Sequence, residues 1–309
     1  MFWSTTLFPV SFIFISHIYL SSATCYVGTT PHIRSLMIGR CLEYQTTVQP
    51  TIFCNQTRNC TLIADQFLES FRHQEACNVS SLRFTDYLEL AQHDMAPDMT
   101  MFWENVYSAV KMYSNNGKRA MPISGTLYGF LLDDVFFCAT TEDPGIIFNE
   151  TCPHFYDTKT CPQNAEYSFW VAASQQYAKS AVGKVHIMFN SSMETPFVND
   201  SFFATWELPN INPENVTSAE ILLVHNPGQS VRSKCSHTSI TELKNKLQEK
   251  GITTECYDSP RKVQLVLCGD YPDNNECLSL VTSSSTRHTT PSLIFFLYSF
   301  AFILLFLNI

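Results

Sequence analysis

The sequence predicts an α/β fold of the α+β-like, two-lobed kind: a helical N-terminal lobe and a C-terminal lobe with a small parallel sheet, reinforced by disulfides. Three observations predict it. Apolar residues fall three and four apart through the first half, and short Val/Ile/Leu runs bounded by Gly, Asn or Pro fill the second. Twelve cysteines, an even number, are spread over both halves.

Residues 1–24 stand apart from the fold. They contain no Asp, Glu, Lys or Arg, and "LFPVSFIFISHIYL" followed by "SSAT" reads as a secretory signal peptide without the usual basic start. A buried N-terminal helix is the alternative. Residues 25–180 make the mainly helical lobe. "DQFLESFRH", "FWENVYSAVKMY" and "EYSFWVAASQQYAKSAV" each show helical spacing, the last carrying Trp170.

Residues 181–282 make the α/β lobe. "GKVHIMFN", "AEILLVHN" and "KVQLVLCG" read as buried strands. Between the second and third, "SITELKNKLQEKG" reads as a helix. An S-x-x-E capping box at Ser239 and Glu242 opens it, Ile240, Leu243 and Leu247 share one face, and Gly251 ends it. Strand, helix and strand in succession predict parallel pairing through a crossover helix. Glu207, in "FFATWELPNI", falls between two predicted strands, where open parallel sheets present ligand sites.

Residues 283–309 close the chain. "TSSSTRHTTPS" is a polar spacer of small residues, and "LIFFLYSFAFILLFLNI" runs to the last residue, shorter than the roughly 20 residues that span a bilayer comfortably. The pattern is that of a GPI anchor attached at Ser283, Ser284 or Ser285, with the hydrophobic tail removed; a short tail-anchoring helix is the alternative.

Composition agrees with an extracellular setting. N-x-S/T sequons begin at Asn55, Asn59, Asn78, Asn149, Asn190, Asn199 and Asn215, a coherent set beside a leader. In an oxidising compartment the cysteines mean up to six disulfides, and the lack of any C-x-x-C argues against zinc or another metal. A net charge of −9 with no basic block excludes nucleic acid as a partner. At 45% hydrophobic the chain can bury a core, so disulfides reinforce the fold rather than replace that core.

Several residues invite a chemical reading. Asp133 and Asp134 sit in "TLYGFLLDDVFFC", a setting costly for ionised acids without partners. Trp103 and Trp170 are prominent indoles, and Glu207 lies in aromatic company. Taken singly, each has a bland account in which the indoles fill the core and the aspartates cap or pair.

From about Ile38 to Cys277 the chain resembles the ADP-ribosyl cyclase/NAD glycohydrolase family of ectoenzymes. The resemblance is carried by "GRCLEY", "GTLYGFLLDD…C", "SFWVAAS", "KVHIMFN", "FFATWELPNINPENV" and the C-terminal cysteine run, in order and spacing. It implies an active-site cleft between the two lobes and a catalytic role for Glu207. It also implies a substrate pocket containing Trp103, Trp170, Asp133, Ser174 and Phe203, with Phe202 beside the ribose. By the family's pattern Cys41 pairs with Cys60, Cys77 with Cys161, Cys138 with Cys152, Cys235 with Cys256 and Cys268 with Cys277. Cys25 and Cys54 are then the remaining pair.

Two departures stand out. Ser124, in "PISG", occupies a position where the family often has an acid, and Glu104 with Asn105 follow Trp103 where a phosphate-contacting Ser-Arg is common. Arg119 or Lys118 is then expected to meet the pyrophosphate. The resemblance implies an extracellular NAD+ glycohydrolase on the outer face of the plasma membrane, giving ADP-ribose and nicotinamide with minor cyclic ADP-ribose. NAD+ is a substrate in this reading and no cofactor is implied; a homodimer is compatible with it. The rival readings are a catalytically silent GPI-anchored receptor or adhesion module on the same fold, and a secreted glycoside hydrolase using Glu207 with Asp133.

Overall fold

The computed structural model of the chain describes residues 28–53, 56–115, 117–139 and 152–285. The leader, Asn55, Asn149, the Cys25–Cys54 pair and the hydrophobic tail lie outside the described residues. The first half contributes α1 (Ile33–Glu43), α2 (Cys60–Phe71), α3 (Thr85–Ala91), β1 (Met101–Glu104), α4 (Tyr107–Ser114), α5 (Leu127–Leu132) and α6 (Ala165–Lys179). The second contributes β2 (Gly183–Asn190), β3 (Val216–Val224), α7 (Thr238–Glu249), β4 (Thr253–Asp258), α8 (Arg261–Leu267) and α9 (Asn275–Ser285).

Capping and apolar spacing fix the long helices. Asn59 and Asn164 cap α2 and α6 through side-chain oxygens that accept from the Leu62 and Tyr167 amides. On α2, Ile63, Phe67 and Phe71 recur four apart and are all buried. Phe67 then meets Phe137 at 4.9 Å and Phe169 of α6 at 6.1 Å, both edge-on, which ties the helical lobe together.

The sheet is wholly parallel, in the order β1-β2-β3-β4. Alternation gives it two buried faces. Phe102, Ile187, Phe189, Ile221 and Leu223 join the large core shared with the N-terminal helices, α6 and α7. Met101, Met188, Leu222 and Val224 face Val110 of α4 and Val263 and Leu267 of α8. The sheet therefore lies between helical layers, with its β1–β3 strand ends opening onto the region that carries Glu207.

Three expectations need correction. "FWENVYSAVKMY" is not one helix: "MFWE" is strand β1, the chain turns at Asn105 with φ +57°, and α4 starts at Tyr107. The 25–180 segment thus supplies an edge strand to the sheet. "KVQLVLCG" is helix α8, preceded by Pro260, with Val263, Gln264 and Leu267 turned inward. The strand after the crossover helix is instead the polar, largely exposed "TTECYD" of β4. Finally, α7 begins two residues earlier than the capping box requires. His237 is its cap, accepting from the Ser239 amide at 3.2 Å, and Glu242 is engaged elsewhere by Asn199 at 2.6 Å.

The five disulfides implied among the described cysteines all form: Cys41–Cys60, Cys77–Cys161, Cys138–Cys152, Cys235–Cys256 and Cys268–Cys277. Ser283 to Ser285 end α9. Among the described residues no helix is long and apolar enough to cross a membrane.

Candidate active site

Glu207 closes a π-helical turn, Phe203–Glu207, in the connection between β2 and β3. The turn is pinned from both sides. Ser201 Oγ accepts from the Ala204 amide at 3.1 Å, and the Trp206 carbonyl accepts from Asn210 Nδ2 at 2.9 Å. Phe203 is 1% exposed and packs on Phe102 at 5.5 Å and Phe189 at 5.9 Å. Its ring belongs to the cavity floor and core, whereas Phe202 leans into the aromatic wall against Phe155 and Tyr167.

Glu207 itself is only 7% exposed. Ser174 Oγ donates to its Oε1 at 3.0 Å. Burial pushes the carboxyl up to about 8; the Ser174 hydrogen bond opposes this and the nearby Glu104 adds to it. A solvated acid at a strand end would show none of this.

The cavity around it measures about 980 Å³ and takes in Trp103, Ser124, Asp133, Trp170, Ser174, Phe202, Phe203 and Glu207, the full set expected from the sequence. Trp103, at the end of β1, is half-buried and tilts against Tyr107, 5.6 Å between centroids. Glu166, Trp170 and Ser174 stand at i, i+4 and i+8 of α6, so one helix face delivers all three to the cavity.

Asp133 and Asp134 have the partners their apolar setting demands. Tyr107 donates to Asp133 Oδ1 at 2.9 Å, and Lys111 Nζ lies 3.0 Å from Asp133 and 3.3 Å from Asp134. Arg40 fixes the Asp133 carbonyl at 2.6 Å. Asp133 therefore presents a partly neutralised carboxylate at the cavity edge.

Acids crowd the rest of the wall. Burial raises Glu104 to about 6, with the Ser201 hydroxyl opposing and Asp200 adding, and raises Glu166 to about 7. No Lys or Arg lines the cavity among the described residues. The expectation for Arg119 or Lys118 is corrected here. Both lie in the exposed turn beyond α4, which starts at the cavity and runs away from it, and Arg119 donates to the Tyr113 carbonyl at 3.2 Å.

Sequence reasoning missed Tyr107, Phe155, Tyr156, Glu166, Tyr167, Trp206, Asn226 and Gln229, which also line the cavity. Trp206 Nε1 donates to Tyr167 Oη at 3.1 Å, joining the catalytic turn to α6. The signal for Glu166 was the four-residue step to Trp170. Phe155 and Tyr156 carried none, because they reach the site through the segment between Cys152 and Cys161. Of the described sequons, Asn59, Asn78, Asn199 and Asn215 are exposed, while Asn190 is half-buried at the cavity and donates to the Asn105 carbonyl at 3.3 Å.

Comparisons with known proteins identify the family. A family model described as ADP-ribosyl cyclase matches residues 30–277. Human ADP-ribosyl cyclase/cyclic ADP-ribose hydrolase 2 is 32% identical over 267 residues, 86% of this chain and 81% of that protein. The Aplysia californica ADP-ribosyl cyclase/cyclic ADP-ribose hydrolase is also 32% identical, over 80% of this chain and 87% of its own length. Among solved structures, ADP-ribosyl cyclase complexed with N1-cIDPR superposes with a TM-score of 0.74 at 30% identity, covering 81% of this chain and 99% of that one. Porcine CD38 bearing a covalent intermediate gives 0.69 at 26% identity, covering 75% and 97%. With its helical lobe, parallel sheet and disulfide framework matched over nearly the whole described chain, this protein belongs to the ADP-ribosyl cyclase family.

Proposed function

We propose that the chain is an extracellular NAD+ glycohydrolase that cleaves the nicotinamide–ribose bond to give nicotinamide and ADP-ribose, with minor formation of cyclic ADP-ribose. The observation that carries this reading is Glu207: a carboxyl held at about 8 by burial, braced by Ser174, in a cavity walled by indoles. An acid kept this dry at such energetic cost is of use to a reaction that develops positive charge beside it.

The chemistry follows from NAD+ itself. The pyridinium leaves as neutral nicotinamide, so positive charge shifts to the ribosyl carbon. Glu207 supplies the complementary negative charge where low dielectric strengthens it. Trp103 and Trp170 offer flat faces for the rings, each stack worth about 1 kcal/mol. Water capture of the ribosyl group yields ADP-ribose; capture by the folded-back adenine yields the cyclic product. With no Lys or Arg among the described residues of the wall, the pyrophosphate is met by neutral donors such as Asn190, Asn226 and Gln229.

Related proteins support this reading: the Aplysia cyclase has been solved with substrate NGD and product cGDPR. The silent-receptor reading leaves the buried Glu207 unexplained. The glycoside hydrolase reading needs Asp133 as partner acid, and Asp133 is already engaged by Lys111 and Tyr107. Incubating purified ectodomain with NAD+ and resolving the products tests the proposal. Nicotinamide with ADP-ribose in excess of cyclic ADP-ribose is expected, and intact NAD+ refutes it. Attachment to the outer leaflet through Ser283, Ser284 or Ser285 belongs to the same proposal, as do glycans at the exposed sequons Asn59, Asn78, Asn199 and Asn215. Release of the protein from cells by a phosphatidylinositol-specific phospholipase is the expected sign of that anchor.

A further inference from the structure

We propose that Glu104 is the general base of the hydrolytic step, accepting the proton of the water that captures the ribosyl group. The inference rests on the glycohydrolase reading above and concerns which nucleophile the site favours. Glu104 is the last residue of β1, paired in register with Phe189 of β2, and lines the same cavity as Glu207. The two carboxyls are close enough for Glu104 to raise Glu207.

The bond changes demand a second acceptor. The C1′–N bond breaks and its electron pair leaves with nicotinamide. The water oxygen then forms the C1′–O bond, and one water proton must go elsewhere. Glu207 is occupied as the charge facing the ribosyl cation. Asp133 and Asp134 are tied to Lys111. Glu104, by contrast, keeps acceptor capacity that the chain does not use: its Oε2 has neither a hydrogen-bond partner nor water-accessible surface at rest, and turning the carboxylate about its last bond presents that oxygen to the cavity it lines. Held at about 6, it is largely ionised at neutral pH, as a base must be. The proton it takes passes to solvent as ADP-ribose leaves.

The test exploits a nucleophile that has no proton to lose. Labelled nicotinamide re-forms NAD+ through its ring nitrogen, so exchange of label into NAD+ needs bond cleavage and Glu207 but no base. Followed above about pH 8, where Glu207 is ionised in both proteins, Glu104→Gln is predicted to slow ADP-ribose formation by about 10²-fold, while nicotinamide exchange stays near the wild-type rate. Preserved exchange also certifies the fold. If Glu104→Gln does not fold, Glu104→Asp, which keeps the charge on a shorter arm, should lose hydrolysis selectively. Unchanged hydrolysis, or equal loss of hydrolysis and exchange in folded protein, overturns the assignment. So does a selective loss in Glu166→Gln that is absent from Glu104→Gln, since that makes Glu166 the base. A wild-type protein that releases no nicotinamide would instead refute the activity on which the inference rests.

Discussion

Replacing Glu207 by Gln should stabilise the protein, and by more as the pH rises. The amide keeps an oxygen that can accept from Ser174 Oγ, at 3.0 Å in the wild type, but cannot ionise. In the wild type the folded carboxyl sits at about 8 against an ordinary 4.5. Between those values the folded state holds a proton that the unfolded chain has lost, so wild-type stability falls as the pH climbs through that window. The full cost of ionising the buried group is about 5 kcal/mol above the window and about 1 kcal/mol near pH 5. Urea unfolding of both proteins at about pH 5 and about pH 9 should therefore show the Gln variant gaining some 4 kcal/mol on wild type between them. Titrating groups that do not interact with Glu207 are common to both proteins and cancel in the difference, and the repulsion from Glu104 is already part of the raised Glu207 value. A gap that is the same at both pH values would refute the claim that Glu207 is held in a dry site at the expense of stability.

Three further outcomes follow from the same site and its supports. Because Glu207 must be ionised to act, kcat/KM for nicotinamide release should rise with pH to a plateau above about 8 in wild type. Ser174→Ala removes a donor that favours the charged form, so that limb should move to higher pH and activity at neutral pH should drop by about 10-fold. Replacing Cys138 and Cys152 by Ser opens a loop of sequence separation 14 just beyond Asp133, and urea unfolding should show a loss of about 3 kcal/mol.

The site was more legible in the sequence than the sheet that frames it. Glu207, Trp170 and Ser174 sit in stretches whose local pattern fixes their placement: a turn between strands and one face of a capped helix. The strand "MFWE" was hidden because its apolar residues continue the phase of α4, and only the left-handed Asn105 separates the two. The α8 and β4 segments were exchanged for a related reason. A short apolar run serves equally as buried helix or strand, and β4 carries no apolar alternation because it is a largely exposed edge. Losing β1 from the sheet also concealed the role of Glu104, which reaches the cavity only because β1 pairs with β2. Arg119 and Lys118 were misplaced because their position depends on the left-handed turn at Asn115, which has φ +50°. Cations near Trp103 in sequence end up on the far end of α4.

The most direct test of the central claim is a single-turnover measurement of nicotinamide release from NAD+ by wild-type and Glu207→Gln ectodomain, with NAD+ binding measured on the same samples. If Glu207 provides the charge that meets the ribosyl cation, release should fall by roughly 10²-fold or more while NAD+ affinity changes little. A folded Glu207→Gln protein that releases nicotinamide at the wild-type rate would contradict the account.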